Sequence, residues 1–345
     1  MVQNIEIFII NLARSKDRYE SMKRKIAKIR GFSAVYIDGE KVGNLSLGMQ
    51  SAGFANEVKQ PSKSRESNKN NESRTKKRIN ESDSSLRHCD SHNLDSQGLD
   101  CFGDKSPRND GLVADSHNPI LNFHFFPATD ANDFKINSAN IPKQYSSKLT
   151  RFVKGKDLSF GEIACFSSHY RLWEKCVALD LPIVVLEDDI DFMQDFCQIV
   201  EIIKSPFDYV RLYYLFERKM SQICNNFYIS FDKIAGTQGY YLTPKAAQKF
   251  IKNARFWLFC VDDYMDMFFI HSVKNIIFLP FIITEDLANA TQSTIVGREK
   301  PKMRFYQKLT RELSRIYFFV IRKALYFALN CVEIRANFWA KQNRR

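Results

Sequence analysis

Three features of the 345-residue chain predict an α/β fold built on a parallel sheet. Short β-branched runs alternate with segments of helical period, and the chain begins in a β-α-β order. The run Ile183-Val184-Val185-Leu186 stops abruptly at Glu187-Asp188-Asp189, with Asp191 just beyond. A four- to five-residue apolar run of this kind is a strand buried on both faces of a parallel sheet. In such sheets ligands sit beyond the carboxyl ends of the strands. Adjacent carboxylates repel one another, and a divalent cation relieves that repulsion. Glu187, Asp188, Asp189 and Asp191 are therefore candidate metal ligands, facing a phosphorylated substrate.

Ile5 to Ile10 is the first strand, and Asn11 to Arg18 the turn after it. A charged helix follows to about Arg30, with Met22, Ile26 and Ile29 inward, and Ser33 to Ile37 is a second strand. No G-x-G-x-x-G joins these elements, which excludes a dinucleotide-binding loop. Arg14 and Arg18 stand where a nucleotide phosphate or base would be met; a solvated helix start explains each of them singly as well.

Residues 57–115 hold 11 Lys/Arg, 11 Asp/Glu and one aromatic residue, Phe102. Such a stretch buries too little apolar surface to offset chain entropy, so a disordered insertion is expected. The spacing of Cys89, His92 and Cys101 fits no standard metal knuckle.

Ile120 to Pro127 is the next strand. Ser159-Phe160-Gly161-Glu162 is a capping box, in which Ser159 takes the amide of Glu162 and Glu162 reaches back. The helix it opens lines up Ile163, Phe166, Tyr170, Trp173 and Val177, with Glu162 and His169 two turns apart on one flank. His169 is either a pocket group or a satisfied boundary histidine. After Asp191 a helix runs to about Ile203. Asp208 to Tyr213, Phe227 to Phe231 and Ile234 to Leu242 are strands, and Thr243-Pro244 opens a helix with Thr as N-cap. Gly236 and Gly239 let backbone approach a sugar or phosphate, or else mark a bulge. Phe256 to Val261 runs into a second acidic pair, Asp262-Asp263, and Ile276 to Ile283 is a last strand. Two acidic pairs after apolar runs suit a metal holder and a general base; Asp262-Asp263 also suit a helix N-terminus.

Net charge is +12, of which residues 297–345 carry +10, with 13 Lys/Arg against 3 Asp/Glu. The remainder is nearly neutral, so nucleic acid is not an expected partner. From Met303 a helical pattern places Arg304, Lys308, Arg311, Arg315 and Arg322 on one stripe, opposite Leu309, Leu313, Val320, Ala324, Phe327, Cys331 and Phe338. Arg322-Lys323 interrupt the apolar part, so a bilayer span is disfavoured. An amphipathic helix lying on an anionic membrane is expected at residues 303–345; packing on the rest of its own chain or on a partner subunit is the alternative. The eight cysteines form no C-x-x-C pair and are expected to be reduced core residues. No signal-peptide pattern opens the chain, which is expected to be cytoplasmic and peripheral at the inner face of the membrane.

Several of these segments together resemble glycosyltransferase family 25, the lipopolysaccharide-biosynthesis and collagen-galactosyltransferase group. They are Phe8 to Leu12 with Arg14 and Arg18, Gly161 to Cys165 with Ser168-His169 and Trp173, and Leu186 to Asp189. Gly239-Tyr240 with Ala246-Ala247, and then Asp262-Asp263, complete the set in family order. Ala164 departs from the pattern, standing where the family often has Gly. The resemblance implies a GT-A-like fold with a single Rossmann-like nucleotide-sugar-binding domain. Residues 1–56 and 119–296 would form it, with the insertion at 57–118 and the helical tail at 297–345 outside.

It also implies inverting transfer, commonly of galactose from UDP-galactose in a β-1,4 linkage, onto a glycolipid such as lipooligosaccharide. A divalent ion, Mn2+ or Mg2+, would be held by Asp189 with Glu187, Asp188 or Asp191 beside it. Asp262 or Asp263 would be the base. Asn11, Arg14, Arg18, Glu162, His169 and Gly239 would line the donor pocket.

Overall fold

In the structure, a computed structural model that describes residues 4–29, 32–37, 120–286 and 304–342, the run Ile5–Asn11 forms strand β1. Its side chains alternate as a strand requires: Ile7 and Ile9 enter the core on one face of the sheet and Phe8 the core on the other. Helix α1 (Lys16–Ile26) packs on the Ile7/Ile9 side through Met22 and Ile26. Strands β2 (Ser33–Ile37) and β3 (Ile120–Pro127) follow, and both run parallel to their sheet neighbours. The expected insertion at 57–118 lies outside the described residues.

Two short helices, α2 (Ala131–Ile136) and α3 (Ser147–Lys154), lead to the long helix α4 (Phe160–Leu179). The capping box is present: the Ser159 hydroxyl accepts from the Glu162 amide at 3.2 Å, and Glu162 accepts from the Ser159 amide at 2.7 Å. Ile163, Phe166, Leu172, Trp173 and Cys176 bury the helix against β4 (Ile183–Glu187) and its neighbours. Then come β5 (Ile190–Phe192), α5 (Ile199–Lys204), β6 (Tyr209–Arg211), β7 (Ser221–Cys224), β8 (Phe227–Ser230), β9 (Gly239–Leu242) and α6 (Pro244–Asn253). The helical turns α7 (Val261–Met265) and α8 (Phe268–His271), strands β10 (Asn275–Phe278) and β11 (Ile283–Glu285), and helix α9 (Phe305–Gln342) complete the described elements.

Among the described residues, nine strands form one mixed sheet in the order β2-β3-β1-β4-β9-β6-β10-β8-β7, and β11 pairs with β5 in a separate ribbon. The fold is thus mixed α/β. β1 lies parallel to both neighbours, β3 on one side and β4 on the other, while β9 lies antiparallel to β4. The chain goes outward from β1 to the sheet edge, returns through β3, and crosses to β4. That reversal opens a crevice at the carboxyl ends of β1 and β4, where an α/β sheet receives its ligand.

Two expected strands and one expected helix differ in extent. Ile234–Leu242 is extended only from Gly239. The amides of Ile234 and Ala235 donate to Asp266 instead of a neighbouring strand, and Ala235 and Gly236 take left-handed backbone angles (φ 51° and 91°). Ile276–Ile283 is divided by Pro280 into β10 and β11, which join different sheets. The segment expected to be helical directly after Asp191 begins as β5, and its helix runs only from Ile199 to Lys204.

Helix α9 packs against α3 and α8. Its half-buried side includes Gln307, Thr310, Ser314, Phe318, Ile321 and Arg322. Phe318 meets Phe259 and Phe269 edge-on or tilted, with ring centroids 5.2 and 6.1 Å away, and Arg322 lies 5.8 Å from the Phe269 ring. Leu309, Leu313, Ile316, Phe319, Val320 and Phe327 are all exposed by more than half. The helix therefore turns a mostly polar side inward and an apolar side outward. Of the basic stripe, Arg304, Lys308 and Arg315 are exposed, and Arg311 and Arg322 are half-buried. The side chains of Cys331 and Phe338 lie outside the described set. No helix among the described residues is long and apolar enough to cross a membrane.

Candidate active site

The crevice is floored by the end of β4. Because β1 and β4 run parallel in register, with Ile10 opposite Glu187, Asn11 is delivered to the first acidic residues. Asn11 Nδ2 donates to Asp188 Oδ2 at 2.7 Å. Arg18, in the first turn of α1, donates through Nη1 to Asp188 Oδ1 at 2.9 Å and stands 3.6 Å from Asp189 Oδ2. Arg14 turns the other way and pairs with Asp130.

The carboxylates in this stretch differ in surroundings. Burial works to raise the Glu187 carboxyl, but His169, Thr237 and Arg18 outweigh it and hold the group below its ordinary value. Thr237 Oγ1 donates to Glu187 Oε1, and His169 Nε2 lies 3.5 Å from the same oxygen. Asp188 is raised by burial, which Arg18 and Asn11 offset only in part. Asp189 is pushed up to about 7, by burial first and then by the charges of Glu187 and Asp188. Its Oδ1 is buried without a hydrogen-bond partner. Asp191 belongs to a separate group: Lys25 Nζ binds it at 2.9 Å and Asp286 at 2.6 Å, on the β5 side.

His169 is fully buried. Its Nδ1 lies 2.9 Å from the Tyr240 hydroxyl, which accepts from Trp173 Nε1 at 3.1 Å. The hydroxyl can give its hydrogen to Nδ1, which leaves Nε2–H facing Glu187, or accept from Nδ1–H in the other tautomer, which leaves the Nε2 lone pair there. Glu162 closes the capping box at the start of the same helix and spends its Oε2 there. Gly239 is closely packed: a Cβ on it would run into the Ile283 side chain and come within 2.9 Å of that of Leu186, so these buried side chains would have to shift.

The second acidic pair lies in the first turn of α7. Asp263 is paired with Lys233 and, at 3.6 Å, with Lys154; it also accepts from the Cys260 thiol at 3.2 Å. Burial works to raise the Asp263 carboxyl, but the two lysines and Cys260 outweigh it and hold it low. The Cys165 thiol of α4 is driven well up by burial and, after that, by the charges of Glu187, Asp262, Cys260 and Asp189. Charges from both acidic runs, Glu187 and Asp189 of the first and Asp262 of the second, thus reach one half-buried side chain.

Sequence reasoning missed what holds the β9 approach in place. Arg211, wholly buried, donates to Asp266 Oδ1 at 2.9 Å, to the Ala235 carbonyl at 3.0 Å and to the Gly236 carbonyl. Asn275 adds a donor to Asp266 at 2.9 Å. This clamp fixes the left-handed bend that presents Thr237 to Glu187 and Gln238 Nε2 to Glu285, 2.7 Å away. A signal was present: an arginine inside the apolar strand Tyr209-Val210-Arg211-Leu212 requires a buried counter-charge.

Residues 104–265, from before β3 to the end of α7, match the model of glycosyltransferase family 25 (LPS biosynthesis protein). Shorter stretches are similar to curated relatives. A glycosyltransferase 25 family member of Aedes aegypti is 40% identical over 76 residues, covering 21% of this chain and 12% of the relative. The lipooligosaccharide biosynthesis protein lic2B of Haemophilus influenzae is 44% identical over 52 residues, 14% of this chain and 20% of the relative. A probable inactive glycosyltransferase 25 family member 3 of Rattus norvegicus is 49% identical over 43 residues, 12% of this chain and 8% of the relative. The chain thus spans at most a fifth of the length of these three relatives.

Proposed function

We propose, from the premise that the chain carries a glycosyltransferase family 25 domain, that it moves a sugar from a nucleotide-sugar donor to a glycan acceptor. The specific reading is inverting transfer of galactose from UDP-galactose in a β-1,4 linkage onto a lipooligosaccharide or related glycolipid. The observation that carries it is Asp189: a half-buried carboxylate, one oxygen buried without a hydrogen-bond partner, set against the charges of Glu187 and Asp188 at the crevice mouth.

Such a donor set suits a hard divalent ion, Mn2+ or Mg2+. Asp189 is its best holder, with Glu187 beside it, because Asp188 is engaged by Asn11 and Arg18 and Asp191 by Lys25. When bound, the ion would neutralise charge on the diphosphate of the leaving nucleotide. Arg18 adds a fixed positive charge next to the same group.

In the transfer, the acceptor oxygen bonds to the anomeric carbon as the carbon–oxygen bond to the diphosphate breaks. The bonding pair leaves with the nucleotide, and the hydroxyl proton passes to a carboxylate. Asp262 suits that role better than Asp263, whose charge is already matched by Lys154 and Lys233. The GT-A-like architecture and a GT-A metal site belong to the same proposal.

The acceptor's lipid explains α9. Its exposed Leu, Ile, Phe and Val side chains, flanked by Arg304, Lys308 and Arg315, suit the interface of an anionic bilayer. The protein would then work as a peripheral enzyme at the inner face of the cytoplasmic membrane.

The test is a screen of UDP-sugars with Mn2+ and a truncated lipooligosaccharide acceptor. Galactose transfer that disappears in Asp189→Ala, with the fold retained by circular dichroism, supports the reading. Unchanged transfer in that variant removes Asp189 from the site, and phosphate release without acceptor identifies a phosphohydrolase instead. A chain that binds membrane but turns over no donor is an inactive assembly protein.

A further inference from the structure

Cys165 and His169 are four residues apart on α4 and so share one face of the helix, one turn apart. Glu187 reaches the same place from the end of β4. One ligand atom from each of the three, a thiol sulfur, an imidazole nitrogen and a carboxylate oxygen, lies within 4.8 Å of the others. His169 Nε2 and Glu187 Oε1 are 3.5 Å apart. Two such atoms bound to one tetrahedral zinc ion, each about 2.0–2.1 Å from it, would be separated by roughly 3.4 Å.

The surroundings complete the pattern. A histidine that binds a metal through Nε2 usually gives its Nδ1 hydrogen to a fixed acceptor. Here the Tyr240 oxygen lies 2.9 Å from Nδ1, itself held by Trp173. A one-step change of tautomer frees the Nε2 lone pair towards Glu187. Thr237 orients the carboxylate.

We propose that Cys165, His169 and Glu187 form a binding site for a borderline-soft divalent cation, Zn2+ above all, with a fourth position left for solvent. Binding converts the Cys165 thiol to a thiolate and releases one proton. The neighbouring trio Cys260, Asp262 and Asp263 is a poorer site, because Lys154 and Lys233 already balance its charge. Hard ions such as Mg2+ and Mn2+ prefer oxygen ligands, so the thiolate selects against them. Glu187 is common to this site and to the carboxylate set of the proposed transferase. A zinc ion here therefore competes for that carboxylate, and Zn2+ inhibits transfer. That consequence rests on the transferase reading; the binding site does not.

Co2+ titration of the whole, metal-free protein, without nucleotide, tests the site by spectroscopy. One equivalent of Co2+ should give a near-ultraviolet thiolate-to-cobalt charge-transfer band and the intense visible bands of tetrahedral cobalt, and Zn2+ should displace both. Cys165→Ser should abolish the charge-transfer band, whereas Cys260→Ser and Cys197→Ser should keep it. Tyr240→Phe should weaken Co2+ binding by about tenfold or more. A wild-type spectrum with no thiolate band, or a band that survives Cys165→Ser, overturns the proposal. The wild-type result requires no variant to fold. A cobalt band with no sugar transfer leaves the zinc site standing and removes the transferase; transfer without a band does the reverse.

Discussion

Arg18 and Asp188, separated by 170 positions in the chain, meet at 2.9 Å across the crevice between α1 and the end of β4. The pair ties the first helix to the acidic strand end and leaves Asp189 beside it without comparable compensation. Arg18→Gln would strip Asp188 of its main counter-charge while Asn11 stays in place. The expected cost is about 1–3 kcal/mol in urea unfolding, and the double variant Arg18→Gln/Asp188→Asn should recover part of it. A loss no larger in Arg18→Gln than in a surface arginine variant would show that the pair contributes nothing to folding.

Asp189 makes stability depend on pH in a direction opposite to that of most carboxylates. Its folded pKa, about 7, lies above the ordinary 3.8. Between those values the folded protein holds a proton that the unfolded chain has released. Stability without metal is therefore highest at the acid end of that window and falls as pH rises through about 7, by no more than about 4 kcal/mol. Thermal melts in EDTA at pH 5.5 and 8 should show the decline, and Asp189→Asn should flatten it. Mn2+ should raise the melting temperature more at pH 8 than at pH 5.5.

The Arg211–Asp266 ion pair is buried on both sides, with 1% and 0% side-chain exposure. Asp266→Ala leaves the guanidinium without its carboxylate and the amides of Ile234 and Ala235 without their acceptor. Destabilisation of about 3–5 kcal/mol is expected from chemical denaturation. Asp266→Asn keeps the shape but removes the charge and should cost less. In that milder variant the bend carrying Thr237 should loosen, seen as faster amide exchange at Gly236 to Gln238.

For α9, the paired substitution Leu313→Glu/Phe319→Glu acts on exposed side chains only. Circular dichroism and the melting temperature should stay near wild type. Co-sedimentation with vesicles rich in anionic lipid should fall at least about tenfold, since two apolar anchors become charges. Deleting residues 297–345 should move the protein to the soluble fraction while transfer to a soluble acceptor persists. Membrane association that survives both changes would assign α9 to another partner.

Local pattern revealed the elements that are locally determined. Ser159 to Glu162 is a complete capping box in sequence and in space, and the apolar run before Glu187 is a central strand. The meeting of the two acidic pairs was legible only as a chemical requirement, because nothing local fixes the approach of α7 to β4. Asp191 illustrates the limit: two residues past Asp189, it enters a new strand and faces Lys25. Glu162, placed in the donor pocket by the resemblance, gives its Oε2 to the cap at the start of α4. The bend at Ala235 and Gly236 escaped prediction because it depends on Arg211 and Asp266, distant in sequence and needed by each other.

The central position of β1 has a practical consequence for dissecting this protein. The stretch matching the family begins at residue 104, after β1 and α1. A fragment cut at that boundary would omit the strand that joins β3 to β4, together with Asn11 and Arg18. β2 would be lost with it, so β3 would stand without either sheet neighbour and β4 with one edge unpaired, inviting aggregation or capture of a foreign strand. The segment carrying β1, α1 and β2 is best understood as a keystone: supplied in trans as a separate peptide, it should be able to restore solubility to the truncated remainder.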